Sequence, residues 1–445
     1  MNKSKRPSPQ THLGAWICHE LHPSRLIVTL TAGMLSGVLI MIYSISIATL
    51  IFSGQLAPFI SVGFGLVFLS TIVIAPLVAF TNSLPGVIAG PQDAPAIVLA
   101  IMASEIVSQF PNNASASLPT VIMSIALTTV LVGGVFFLLG TFQLGSLIRC
   151  VPYPVIGGFL AGTGYLFIQG AFNVMTDQSL GWLQAPFLLQ PAVLIRWVPG
   201  LGVALALLIC LRRNNNPLIM PSIFAGFTAL FYLVLGVTQT SIESARQVGL
   251  LMAAFPEGGV WPPLNGSILN QVDWRLIVGQ SGHIATTVLL SVVLLLLTVS
   301  GIELVTRQEV DLNQELRSAG LANLIVGLSG GTVGFHSLSI STLNCVRIGV
   351  KSRLVGVLVT LLCWLTWVGG DRLIALFPKP LLGGVLLYLG LSFLVEWVYH
   401  AWFRLSKAEY AIVTLIFFTI ATVGFLPGVC MGLLASICRF AIRSL

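Results

Sequence analysis

The stretch GVIAGPQDAPAIVLA, residues 86–100, reads as a membrane helix from Ala94 onward but is faulted at its front end. A glycine, two prolines, a glutamine and an aspartate fall between Gly90 and Pro95. Pro91 and Pro95 lack the N–H that a helix interior needs, yet a first helical turn tolerates them because its amides have no partner anyway. The pattern predicts a helix broken at Gly90-Pro91 and resuming at Asp93. Asp93 there is either an N-cap or a charged group placed on purpose.

The surroundings decide why the fault matters. Of 445 residues, 56% are hydrophobic and only 8% charged, against about a quarter charged in an ordinary soluble domain. The chain reads as an all-α integral membrane protein. The apolar run Leu26–Phe52 exceeds a cleaved signal's hydrophobic region and is taken as a retained first span. Seven cysteines without CxxC spacing read as packing residues, and six histidines form no HExxH signature, so no metal centre is expected. No phosphate-binding loop and no dinucleotide fingerprint occur, which speaks against an ATP-driven pump and against an enzyme. A net charge of +7 needs no nucleic-acid partner.

About 20 apolar residues cross a bilayer. Eleven segments qualify outright, namely 26–52, 58–80, 120–141, 151–173, 191–211, 217–238, 281–303, 354–369, 381–401, 409–426 and 428–443. Three more, 84–105, 319–330 and 335–348, are short or interrupted, and counting them gives fourteen. With both termini cytoplasmic, sixteen Lys and Arg residues fall inside and five outside, the asymmetry expected of a correct count. The expected organisation is a cytoplasmic segment 1–25, a first repeat 26–240, an extracytoplasmic loop 241–280 and a second repeat 281–445. Seven spans per half force the second half to insert upside down, a 7+7 inverted repeat. A bacterial inner (plasma) membrane is the expected location.

The interruptions fall in matching places, at Gly90-Pro91 and around GGTVGFHSLS, residues 330–339. Irregular backbone at membrane depth survives only against protein or a solvated cavity. Paired breaks therefore mark a shared binding site near the midplane. Gly90, Gln92, Asp93 and Ala94 would contribute from the first break, and Phe335, His336, Ser337, Leu338 and Ser339 from the second. The serines also serve as plain helix caps, and His336 as a core histidine. Asp93 and Glu303 are the candidates to bind a coupling H+ or Na+; Glu303 equally suits a boundary pair with Arg307, four residues on. No cofactor is expected beyond that ion.

Residues 313–345, NQELRSAGLANLIVGLSGGTVGFHSLSISTLNC, resemble the corresponding stretch of the SulP-type sulfate permeases and prestin-like anion transporters. Residues 151–170, VPYPVIGGFLAGTGYLFIQG, are similar to that family's fifth span, and 86–97 to its third. The resemblance implies a core of spans 1–4 and 8–11 moving, elevator-like, against a gate of spans 5–7 and 12–14, in a homodimer embedded in lipid. It also implies a small charged solute, of the sulfate or bicarbonate class. Three departures stand out. Ile340 occupies the place of the arginine many members carry between the half-helix serines; Asp93 replaces an uncharged residue; and no STAS domain follows the last span before Leu445.

These departures leave two solutes open. Each helix end attracts an anion by about 0.3–1 kcal/mol, while an ionised Asp93 roughly 5 Å away repels it by about 3 kcal/mol at an effective dielectric near 20. An inorganic anion thus needs Asp93 protonated or paired with a cation, which makes a proton- or sodium-coupled symporter. An ionised Asp93 instead suits the amine of a basic or zwitterionic amino acid. A channel or a non-transporting membrane scaffold is the third class.

Overall fold

The computed structural model describes residues 23–110, 114–145, 153–178, 185–214, 219–251, 269–369 and 377–423, with short pieces at 427–428, 431–432 and 434–435. Apolar sequence sets the long elements. Helix α1 spans Pro23–Ile51; a 3-10 turn, Gly54–Phe59, leads into α2, Ile60–Thr81. Strand β1, Ala89–Pro91, precedes α3, Asp93–Ser108, and then come α4, Ala114–Thr141, α5, Tyr153–Thr176, α6, Pro191–Arg213, and α7, Ile219–Val237. The chain continues with α8, Ser281–Thr306, α9, Leu312–Leu328, strand β2, Gly334–His336, α10, Leu338–Thr342, and α11, Leu354–Gly369. Helices α12, Lys379–Leu394, and α13, Lys407–Thr422, complete the described part.

Seven helical stretches among the described residues are long and apolar enough to cross a membrane. The order helix, helix, strand, helix, helix occurs on both sides of the 239–280 segment. The two strands pair with each other, antiparallel, as Ala89 opposite His336, Gly90 opposite Phe335 and Pro91 opposite Gly334. All six of these residues are buried. The pairing solves the problem the fault creates, because backbone groups taken out of a helix inside a membrane must find partners elsewhere.

Side chains finish that work. Asn323 on α9 brackets Gly334, donating to its carbonyl at 2.6 Å and accepting its N–H at 3.0 Å. Ser70 on α2 accepts the N–H of Thr332 at 2.7 Å. On the other strand, the hydroxyl of Ser341 accepts the N–H of Ile88 at 3.1 Å, and Asn344 is fixed by the hydroxyl of Ser36 at 2.9 Å. Elsewhere the buried hydroxyls of Ser124, Thr129 and Ser291 donate to the carbonyl one turn back, which keeps them satisfied inside an apolar helix.

Several boundaries differ from those the sequence suggests. The segment 84–105 turns at 85–86, forms β1 over Ala89–Pro91 and is helical only from Asp93. Helix α9 begins at Leu312 rather than at 319, because Asp311 caps it by accepting the N–H groups of Asn313 and Gln314. The segment 335–348 holds five residues of α-helix and then a π-helical turn, Leu343–Ile348. Most of the expected span 428–443, the tail 1–22 and part of the 241–280 loop lie outside the described residues.

Helices α4 and α9 touch main chain to main chain. A Cβ at Gly133 would come within 2.6 Å of the Leu324 nitrogen, one at Gly320 within 2.5 Å of the Phe137 nitrogen, and one at Gly327 within 2.6 Å of the Val130 nitrogen. In lipid, where apolar burial supplies little drive, such close approach through small residues is what joins helices.

Candidate functional site

The crossing of β1 and β2 launches two helices, α3 from one strand and α10 from the other. Each would present unpaired amides and a positive dipole end. What the side chains do with those ends differs.

At α3 the N-cap position belongs to Gln92, not to Asp93. The Gln92 side chain makes no cap bond; its amide donates across the crossing to the Phe335 carbonyl at 2.8 Å and to that of Gly90 at 3.2 Å. Asp93 is the first helical residue, half-buried, and its carboxylate accepts the N–H of Ala94 at 2.9 Å and its own backbone N–H. Pro95, next in line, has no N–H to offer. The first turn of α3 is thereby spent on its own carboxylate. No ion pair among the described residues involves Asp93.

At α10 the arrangement is reversed. The Ser337 N–H is taken by the Ile88 carbonyl at 2.9 Å, and the Ser337 carbonyl accepts from Ser341. That leaves the amides of Leu338, Ser339 and Ile340 without an acceptor inside the helix. The Leu338 side chain is 38% exposed; that of Ser339 lies outside the described residues. Ile340 is buried in the apolar core, so no cation stands between the two serines.

The remaining candidates serve the scaffold. Gly90 and Ala94 are buried, Gly90 with Ile40 against it. Phe335 turns its ring edge-on to Phe136, centroids 6.0 Å apart, inside an apolar cluster. His336 is buried too, its Nε2 2.6 Å from Glu315 Oε2. Glu303 is half-buried near the end of α8, two residues past Gly301, which sits against Leu338. Its carbonyl accepts the Arg307 N–H at 2.9 Å, but no ion pair joins the two side chains. The boundary pair expected from their spacing does not form.

Three residues that sequence reasoning passed over belong to this region. Tyr43 on α1 lies within electrostatic reach of Asp93 and of Tyr388 on α12. The signal was present, since each is a lone phenol inside an apolar run. Glu315 gave less signal, for its partners Ser83 and His336 are distant in sequence.

The face of α3 that starts at Asp93 continues through Ala100, Ser104 and Ser108, which recur at near-whole turns of the helix. Those three line a cavity of about 300 Å³, closed on its other sides by residues that include Gln55, Asn173 and Asp177. Between Asp93 and Ser104 the helix is apolar, so the polar lining of this cavity lies near the end expected to face outward, three turns from Asp93.

A carboxylate and a set of free amides flanking one buried strand pair is the geometry for a solute bearing charge. The sequence pattern of the Sulfate permease family matches residues 26–416. The chain belongs to the sulfate permease family. It is a multi-pass integral membrane protein of a transporter family. It is 24% identical over 350 residues to the vacuolar basic amino acid transporter VSB1 of Saccharomyces cerevisiae, covering 77% of this chain and 34% of that protein. It is 24% identical over 309 residues to the bicarbonate transporter BicA of Picosynechococcus, covering 67% of this chain and 52% of that one. The chain therefore spans between a third and about half of the length of these two relatives. The transmembrane domain of a cyanobacterial BicA superposes with a TM-score of 0.65 at 18% identity, covering 93% of this chain and 98% of that one. That similarity shows the fold.

Proposed function

We propose that the permease is a secondary transporter whose solute carries both signs of charge, a zwitterionic or basic amino acid, bound with its cationic group at Asp93 and its carboxylate at the start of α10. The observation that carries this reading is the Asp93 carboxylate itself, without a cation beside it among the described residues. An anion alone would face a repulsion of about 3 kcal/mol at roughly 5 Å, more than one helix end returns. Similarity to a basic amino acid transporter agrees with this.

A second reading is an inorganic anion of the bicarbonate or sulfate class, moved with H+ or Na+ held at Asp93 and Glu303. Similarity to BicA and the open amides of α10 favour it. Both readings share alternating access by a core of spans 1–4 and 8–11 against a gate of spans 5–7 and 12–14, fourteen spans in a 7+7 inverted repeat, and a homodimer. The repeated element order and the antiparallel strand pair support that frame.

The test is binding and counterflow in proteoliposomes with labelled arginine, sulfate and bicarbonate. Saturable arginine counterflow that excess sulfate leaves intact is the expected result. Sulfate or bicarbonate counterflow without arginine counterflow would establish the second reading instead. Absence of counterflow with every solute would favour a channel or scaffold.

A further inference from the structure

Among the described residues, His336 and Glu315 form the one ion pair in which both side chains are nearly sealed, at 1% and 2% exposure. Oε2 of Glu315 meets His336 Nε2 at 2.6 Å, while Oε1 accepts the N–H of Ser83 at 2.7 Å and the Ser83 hydroxyl as well. A carboxylate that accepts from three directions leaves the hydrogen on Nε2. The other ring nitrogen, Nδ1, then holds a bare lone pair, and it is buried with no partner among the described residues. Buried polar atoms are nearly always paired, so an exception asks for a reason.

We propose that the His336–Glu315 pair is a proton-binding site, loaded at Nδ1, whose occupancy sets the geometry of the strand crossing. The proton, drawn from water, adds to the Nδ1 lone pair; the Nε2–H stays on Glu315; the charge of the pair goes from minus one to zero. Among the described residues the new N–H has no acceptor where Nδ1 now lies. The ring must turn, or β2 must shift, until one is found. His336 opposes Ala89 in β1, and Ser83 lies on the segment leading into β1, so either movement reaches both half-helices.

The setting makes His336 the group that responds. Helices α2 and α4 and strand β1 carry no titratable side chain. Helix α9 supplies Glu315, with Arg317 turned outward onto the Asn313 carbonyl. Helix α8 has Glu303 near its inner end, and Asp93 follows β1. Arg353 lies at the same end of α2 as Ser83, its guanidinium held by the carbonyls of Ala79, Phe80 and Asn82. As the coupling proton of the transport proposed above, this site rests on that reading; as a proton site it does not.

The experiment uses the full chain in lipid nanodiscs with nitrogen-15-labelled histidine, and His336→Gln to assign the signal by difference. Spectra are taken across the interval from about pH 8 to about pH 5, and a change of Nδ1 from bare to protonated within it is the expected result. Amide exchange of residues 82–91 and 334–341, corrected for its intrinsic pH dependence, should change over the same interval and stay flat in His336→Gln. Glu315→Gln, which keeps a hydrogen-bonding partner and removes the charge, should lose the titration within that interval and serves if the histidine variant does not fold. In proteoliposomes, a gradient of one pH unit should sustain about tenfold accumulation of arginine for one coupled proton. That ratio should fall to about one in Glu315→Gln while arginine exchange at equal pH persists. An Nδ1 that stays bare throughout overturns the proton site. Undiminished pH-driven accumulation in Glu315→Gln overturns its coupling role. A parent protein that moves no arginine refutes the solute, and the nitrogen signal with amide exchange still decides the site.

Discussion

At the first strand-to-helix junction, Gln92 anchors the backbone to the opposite strand and Asp93 consumes the free amides of α3. At the second, Ser337 is tied to Ile88, Asn323 grips Gly334, and the first amides of α10 stay open. Helix α3 then runs sixteen residues, whereas α10 gives way to a π-helical turn after five. The same backbone device thus yields one end that is negative and one that is positive. Equal junctions would suit a simple anion; unequal ones suit a solute with two poles.

Asp93→Asn would make the junctions alike and should have the largest effect. Losing a full charge at roughly 5 Å removes about 3 kcal/mol of attraction for a cationic group, on the order of a hundredfold in the Kd for arginine. Titration calorimetry reads this directly. Arginine affinity unchanged by the substitution would reduce Asp93 to a helix-starting residue.

The strands themselves offer the next contrast. At Gly334 a Cβ would lie 2.5 Å from Ile74 Cδ1 and 2.6 Å from the Gly90 carbonyl oxygen, which is main chain and cannot yield. Gly334→Ala should lower stability by about 2–3 kcal/mol, seen as a lower thermal unfolding midpoint in detergent. Gln92→Ala removes two hydrogen bonds to carbonyls and should cost about 1–2 kcal/mol. A midpoint equal to that of the parent chain would mean the anchor is dispensable. Gly90→Ala should be mildest, under about 1 kcal/mol, because the nearest atom is the movable tip of Ile40 at 3.2 Å. If Gly90→Ala proves worse than Gly334→Ala, the second strand is not the more tightly gripped of the two.

The faults were legible because proline and glycine act locally: Pro91 and Pro95 dictate a helix start whatever lies around them. The same local logic left Asp93 open between a cap and a functional charge, and the structure sets it one position inside the helix rather than at the cap. Gln92 could not be foreseen as the cap position, since its side chain is used through space, on the opposite strand. Helix α9 was started late because Leu312–Ser318 carries the polar groups Asn313, Gln314 and Glu315, which look unfit for a span until Gly145, Thr81 and His336 are brought to them. Glu303 shows the limit of spacing rules: a separation of four permits an ion pair and does not compel one.

The glycines joining α4 to α9 have a consequence for descent as well as for shape. A position where only hydrogen fits between two main chains has no gentle neighbour among the amino acids, because alanine, the smallest step, already collides. Gly133, Gly320 and Gly327 are therefore expected to be frozen letters, conserved together through lineages in which the solute, and even Asp93, is free to change.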